Sequence, residues 1–180
     1  MGQKQPGLFG IGGVVSTTIA GYLKKAKENP RIKAIVVEIN SPGGTVVASK
    51  EIAAAVEDAK TKKPVIAWIR EVGASGGYWV ASSADHIIAD EMSITGSIGV
   101  LGSYLSFGGL IEDYNVSYER LVGGQYKDAG SPFKDLSAEE RELLQERINI
   151  IHDAFIRKVA KDRKMGRLTQ VLFHLPPHID

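Results

Sequence analysis

Three short apolar runs, at residues 34–39, 64–69 and 86–89, alternate along the chain with helical segments. The first run is almost continuously apolar, the pattern of a strand in a sheet that is covered on both faces. Residues 45–61 and 75–83, which lie between the runs, are predicted as helices, the second short and rich in small residues. This succession predicts βαβ units, and therefore an α/β fold with a parallel sheet.

Helices are also predicted before and after this core. Residues 16–28 form one of them, and the following Asn-Pro pair ends it. A long C-terminal helix is predicted from Ser137 to about Arg163, because Ser137 and Glu140 have the spacing of a capping box. Its predicted buried stripe consists of Leu144, Ile148, Ile151, Phe155 and Val159.

The length of 180 residues favours a single domain. We expect this domain to occupy residues 1–165 and an irregular tail to follow at 166–180, where no periodic pattern is found. Within the domain, the alternation of side chains at residues 116–122 predicts a further short strand.

The composition argues against several classes of protein. With 22 basic and 21 acidic residues the net charge is +1, so no nucleic-acid partner is expected. The absence of cysteine excludes disulfides and thiolate metal sites, and no cofactor or metal is predicted. Because no run of eighteen apolar residues exists, the sequence given is not expected to span a bilayer. Its start also lacks the apolar stretch of a signal peptide.

Ser75 follows a predicted buried strand and lies among small residues, in the sequence Gly-Ala-Ser-Gly-Gly at residues 73–77. An exposed hydroxyl on a sharp turn without bulky neighbours suits a nucleophile, although the Gly-x-Ser-x-Gly pattern is not met. The alternative interpretation is an ordinary serine N-cap of the helix that follows. A serine nucleophile needs a base, and the four histidines lie in places that give a weak case for that role.

Lys127 is a candidate base because a lysine that is buried loses its proton more readily. It lies in a loop bounded by glycines, and Asp128 beside it could instead pair with it and keep it charged. Ser97, in Thr-Gly-Ser-Ile-Gly, could orient the lysine amine or be a turn residue. Residues 40–44, Asn-Ser-Pro-Gly-Gly, could offer backbone amides to an oxyanion or form a tight turn.

These four motifs, around Gly44, Ser75, Ser97 and Lys127, together resemble the signal peptide peptidase A family in order and spacing. The resemblance covers about residues 16–165. It implies an α/β fold of the crotonase-like and Clp-like type, a spiral of βαβ units. It also implies Ser75 as nucleophile, Lys127 as general base, Ser97 as the hydroxyl that positions the lysine, and the Gly44 and Gly76 amides as oxyanion donors. Residues 1–165 would then be a Ser-Lys peptidase domain.

The family resemblance also implies partners and a location. Its members digest signal peptides left in the membrane, so peptide substrates of apolar character are expected. Homo-oligomeric rings are expected too, in which the serine and the lysine come from one subunit or from two. Membrane association is expected through a segment absent from this sequence, with the soluble catalytic domain outside the cytoplasm.

Two other functions are compatible with the same fold. A crotonase-like acyl-CoA enzyme would use the same oxyanion geometry, but the sequence offers no suitable pair of carboxylates. A ring-forming scaffold with an idle site is the non-enzymatic alternative, and the presence of both Ser75 and Lys127 argues against it. A Clp-type Ser-His-Asp triad would need a histidine after the serine loop, and residues 91–109 contain none.

Overall fold

The computed structural model describes residues 13–165 and divides the chain into two compact units. Among the described residues, unit 1 comprises 13–99 with 154–165, and unit 2 comprises Val100–Asp153. The elements in chain order are α1 (Ser16–Glu28), β1 (Ile35–Ser41), α2 (Val46–Lys60), β2 (Val65–Ala74), α3 (Gly76–Ser82), β3 (His86–Ala89), β4 (Ile94–Gly96), α4 (Gly108–Asp113) and α5 (Ala138–Asp162).

The pairs that β2 forms with β1, β3 and β4 are all parallel, which confirms the predicted α/β class. Strand β2 is central: β1 runs along one side of it, while β3 and then β4 occupy the other. Strand β2 is longer than predicted because its last residues, from Val72 to Ala74, pair with β4. A parallel sheet of this kind brings the carboxyl ends of neighbouring strands to one edge.

The helices of unit 1 pack on one face of this sheet. Leu23 of α1, Val56 of α2 and Val80 of α3 join Ile39 and Ile69 of the strands in one buried cluster. The register of the strands explains this, because alternate residues point to the same face.

The opposite face of the sheet carries exposed apolar side chains, so the expectation of a sheet covered on both faces is wrong for the described residues. Val36 is 60% exposed, Trp68 40% and Ile88 54%. The apolar run at 34–39 reads as continuous because both of its faces are apolar, although only one of them contacts the helices.

The long C-terminal helix is confirmed, and so is its capping box. The Ser137 N–H donates to the Glu140 carboxylate (3.0 Å), and the Glu140 N–H donates to Ser137 Oγ (3.2 Å). In the predicted stripe, Phe155 and Val159 are fully buried. Leu144, Ile148 and Ile151 are half-buried. Helix α5 begins in unit 2, and its residues from Ala154 onward belong to unit 1.

Unit 2 consists of α4, the first part of α5 and connecting loops. The predicted strand at 116–122 is not formed: this segment is irregular, and every residue in it is exposed. A strand needs a neighbour, and the described residues of unit 2 contain none. The tail predicted at 166–180 lies outside the described residues. Between residues 13 and 165, no helix combines the length and apolar character needed to cross a membrane.

Candidate active site

The predicted site residues of unit 1 lie where neighbouring parallel strands end. Ser41 at the end of β1 pairs with Gly73, and Ala74 at the end of β2 pairs with Gly96 of β4. The pairing of β1 with β2 is irregular just before this edge, where Asn40 Oδ1 accepts the Val72 N–H (3.2 Å). Such irregularities re-aim the chain at functional edges. The segments after the three strands therefore converge.

Ser75 has a backbone conformation that non-glycine residues rarely adopt. Its φ is 50° and its ψ is −122°, at the turn between β2 and α3. Holding such a conformation costs about 1–3 kcal/mol, and it persists only where the surroundings enforce it. Here the Ser75 N–H donates to the Gly96 carbonyl (2.8 Å), and the Ser75 carbonyl accepts from the Trp79 N–H (2.9 Å).

The same turn bears on the two interpretations of Ser75. An N-cap serine has extended backbone angles, and its side chain accepts a bond from the helix that follows. Ser75 has neither: its φ is positive, and no side-chain cap bond is formed. A strained strand-to-helix turn that presents a serine is instead the geometry of a nucleophile elbow.

Gly43 lies directly against Ser75. Its φ is +128°, and a Cβ built on it would fall 2.9 Å from Ser75 Cβ and 3.2 Å from Ser75 Oγ. The turn is held by Ser41, whose Oγ accepts the Gly43 N–H (3.2 Å) and donates to the Gly43 carbonyl (3.1 Å). Only glycine satisfies both the backbone angle and this close approach.

Gly44 and Gly76 lie close to each other, and Gly76 directly follows Ser75. A Cβ built on Gly76 would be 3.3 Å from the Gly44 nitrogen and 2.2 Å from Ser49 Oγ. Gly76 is the first residue of α3, and the first amides of a helix have no acceptor within it. Two such amides beside a serine hydroxyl are suited to stabilise an oxyanion.

Ser97 belongs to the same edge of unit 1. It follows Gly96, whose carbonyl accepts the Ser75 N–H, and like Ser75 it has a φ of 50°. Its side chain is exposed. Ser97 is therefore the neighbour in sequence of Gly96, which contacts the candidate nucleophile directly.

Lys127 belongs to unit 2, so its pairing with Ser75 stays a prediction. It lies in a run of turns at residues 125–130, its N–H donates to the Gly124 carbonyl (3.3 Å), and the residue is exposed. The structure does show what Asp128 does. Both carboxylate oxygens of Asp128 accept from Arg120 (2.5 and 2.8 Å), with Lys134 3.8 Å away.

These contacts bear on the concern that Asp128 could pair with Lys127. The hydrogen bond from Arg120, assisted by its charge and by that of Lys134, lowers the pKa of Asp128 to about 2. Among the described residues, the ion pairs of Asp128 are thus with Arg120 and Lys134.

Unit 1 contains a Ser-Lys hydrogen bond of its own, between Ser83 Oγ and Lys158 Nζ (2.7 Å). It is unsuited to catalysis, because Ser83 is fully buried and Lys158 is also paired with Glu57 and Asp162.

The sequence analysis missed Ser49 as part of the site, and within the motif at 40–44 it did not single out Gly43 as the glycine that contacts Ser75. The signal for Ser49 was available, because helical periodicity places it on the buried face of α2 with Ala53 and Val56. For Gly43 no local signal separates it from Gly44. In residues 13–165, no group of three or more His, Asp or Glu side chains could hold a metal ion.

The fold and the serine turn define a class, that of ClpP-like serine peptidases. Residues 3–106 match the family described as ClpP-like SDH-type serine proteinase. Residues 57–171 match Peptidase family S49. The chain belongs to peptidase family S49, which confirms the predicted family.

Curated relatives bear protease names. A Methanocaldococcus jannaschii protein, provisionally named a protease, is 38% identical over 144 residues, 80% of this chain and 46% of that protein. An Enterococcus faecium protein, provisionally named signal peptide peptidase SppA, is 40% identical over 146 residues, 79% of this chain and 42% of that protein. Protease 4 of Haemophilus influenzae is 37% identical over 155 residues, 86% of this chain and 25% of that protein. This chain thus spans less than half of each of these relatives.

Among solved structures, an enoyl-CoA hydratase/isomerase family member matches with a TM-score of 0.39 and 13% identity. The match covers 88% of this chain and 74% of that one. A similarity of this size carries no argument about activity.

Proposed function

We propose that this chain is the catalytic part of a serine endopeptidase in which Ser75 is the nucleophile. The observation that carries the proposal is the strained turn at Ser75, next to the amides of Gly44 and Gly76. Strain of this kind is retained where it serves a function. Membership of a peptidase family is consistent with it.

In the proposed reaction Ser75 Oγ attacks the carbonyl carbon of a peptide bond, and the neutral amine of Lys127 takes the hydroxyl proton. The negative charge that develops on the carbonyl oxygen is stabilised by the N–H groups of Gly44 and Gly76. The C–N bond then breaks, and the Lys127 ammonium returns the proton to the leaving amine. Water attacks the resulting ester, which releases the carboxylic acid and regenerates Ser75.

A lysine base must be neutral when substrate is bound, and removal from water favours the neutral form. Lys127 is exposed in the single chain. We therefore propose that bound peptide or a neighbouring copy of this chain covers Lys127 in the active state, with Ser97 Oγ orienting the amine. A homo-oligomeric ring, in which the serine and the lysine come from the same or from different subunits, would provide such cover.

The proposed substrates are apolar peptides such as the remnants of signal peptides. The support is the name of one relative, signal peptide peptidase SppA, and the predicted family resemblance. Association with the membrane, through a part of the protein outside the described residues and with the catalytic domain outside the cytoplasm, belongs to the same proposal.

The direct test is labelling with a fluorophosphonate, which reacts with activated serine hydroxyls. We expect the wild-type protein to be labelled at Ser75, and Ser75→Ala to lose both the label and the cleavage of an apolar peptide. Circular dichroism should show the variant folded, because the hydroxyl makes no cap bond. A wild-type protein that cleaves peptide but is labelled elsewhere, or a Ser75→Ala variant with wild-type activity, would refute the proposal.

A further inference from the structure

Helix α3, which directly follows the candidate nucleophile Ser75, is too short to be stable without contacts to the rest of the protein. Helix α3 has 7 residues, and isolated helices shorter than about 12 residues are marginal in water. Its first residue follows Ser75, whose unfavourable φ of 50° tends to relax. Contacts made by the rest of α3 therefore help to hold this turn, together with the bond from the Ser75 N–H to the Gly96 carbonyl.

One such contact is aromatic. The rings of Trp79, in the middle of α3, and Phe155, in the unit 1 part of α5, are stacked with centroids 4.4 Å apart and an angle of 14° between their planes. Trp79 is 5% exposed and Phe155 is 1% exposed. This pair fixes the distance between α3 and the last turns of α5.

The other contact is polar, and it lies at the carboxyl end of α3. Lys158 Nζ donates to Ser83 Oγ (2.7 Å) and to Asp162, which is one turn further along α5. Ser83 Oγ is 3.2 Å from Asp162 Oδ2, and Ser82 Oγ is 2.9 Å from the Trp79 carbonyl. Because a hydroxyl has one proton, we assign the Ser83 proton to Asp162 and the Ser82 proton to that carbonyl.

This network is mostly buried and bears charge. The side chains of Lys158 and Asp162 are 19% and 6% exposed. Both serines are almost completely buried. Hydrogen bonds to charged groups in such surroundings are stronger than those between neutral groups and more demanding in geometry. The network therefore fixes the position of α3 along α5 as well as its distance from it.

We propose that Lys158 and Asp162 are positioning residues, which hold α3 so that the Ser75 hydroxyl stays in its reactive place. They act through Ser83 and α3, and they do not touch the substrate. The inference rests on the proposed function, because it presupposes that Ser75 is the nucleophile. It extends the site to a part of α5 that contains none of the residues predicted to be catalytic.

The test measures the rate at which a fluorophosphonate labels Ser75 in Asp162→Asn and Lys158→Met, well below the melting temperature of each protein. We expect both variants to fold and the rate constant to fall about tenfold or more, since a displacement of about 1 Å can cost about 100-fold. Lys158→Arg, which keeps the charge and donors, should recover much of the rate.

Two controls separate positioning from general destabilisation. Lys161→Met removes an exposed lysine from the same turn of α5 and should be labelled at the wild-type rate. Leu23→Ala removes a buried side chain of α1, so it should lower the melting temperature but not the labelling rate of the folded protein.

The outcomes are distinguishable. Wild-type labelling rates in folded Asp162→Asn and Lys158→Met would overturn the inference while leaving the proposed function intact. If Lys158→Met does not fold, Asp162→Asn decides alone, because it keeps the size of the side chain and one of its acceptors. If Ser75 of the wild-type protein is not labelled at all, the proposed function fails, and the inference fails with it.

Discussion

Replacing Gly76 with alanine should disable the site through a collision with a single side chain, that of Ser49. The new Cβ would lie 2.2 Å from Ser49 Oγ, whereas real Cβ atoms essentially never approach within 3.0 Å of a neighbour. Ser49 is 6% exposed, and its Oγ donates to the Thr45 carbonyl (3.0 Å). Rotating that hydroxyl away would leave a buried polar group unpaired, at a cost of about 1–3 kcal/mol.

The expected loss of activity follows from how far the new Cβ and Ser49 Oγ must move apart. Ordinary contact begins at 3.4 Å, so α3 and α2 must separate by about 1 Å near Ser75. Overpacking of this kind destabilises the fold by about 1–3 kcal/mol. A displacement of about 1 Å at reacting atoms can cost about 100-fold in rate. We therefore expect Gly76→Ala to lower kcat/KM by about 100-fold, although its N–H is retained.

A double-mutant cycle with Ser49→Ala tests this explanation. Without the hydroxyl, the nearest atoms to the new Cβ are Ser49 Cβ at 3.2 Å and the Gly44 nitrogen at 3.3 Å, which small shifts can accommodate. The pair should be coupled by about 0.5–3 kcal/mol in unfolding free energy, measured by urea denaturation. Gly21→Ala, in the interior of α1 with nothing within 4 Å, is the matched control and should keep full activity. Additive effects in the cycle, or an active Gly76→Ala, would refute the reasoning.

Three further predictions concern the neighbouring parts of the site. Gly43→Ala should abolish labelling of Ser75, because the added Cβ would fall 2.9 Å from Ser75 Cβ and the φ of +128° disfavours alanine; normal labelling rates would contradict this. Lys127→Ala should abolish peptide cleavage in a folded protein, and wild-type activity should rise from neutral to alkaline pH; a flat pH profile would count against a lysine base. The pKa of Asp128 is lowered to about 2 by Arg120, so the stability that this carboxylate adds is complete above pH ~4 and lost as the pH falls toward 2. Melting temperatures of wild type and Asp128→Asn should therefore differ above pH ~4 and converge below it; a constant difference would show that Asp128 does not act through its charge.

Much of the secondary structure could be predicted because its signals are local. The capping box of Ser137 and Glu140 and the end of α1 at an Asn-Pro pair depend on neighbouring residues only. The strand at 86–89 was placed correctly, since its length and flanking residues suffice. The strand expected at 116–122 failed for the opposite reason, because alternation predicts a strand only where another strand can pair with it.

The candidate site, like the fold, has parts that the sequence predicts and parts that it does not. The four motifs around Gly44, Ser75, Ser97 and Lys127 could be read directly from the sequence, and they led to the correct family. What the motifs do not contain is the arrangement around them. That Gly43 touches Ser75, and that Ser49 backs Gly76, are contacts between segments about thirty residues apart.

The sequence by itself determined the alternation of strands and helices from α1 to β3, the long C-terminal helix, the family, and the identity of the candidate nucleophile. Those are properties of local pattern and of residue type. Only the tertiary structure decided that Ser75 is held in a strained turn and does not cap α3 through its side chain, and that one face of the sheet is left exposed. The same is true of the anchoring of α3 by Lys158 and Asp162. The physical reason is that strain, burial and charge networks belong to the packing between distant segments, which no single segment specifies.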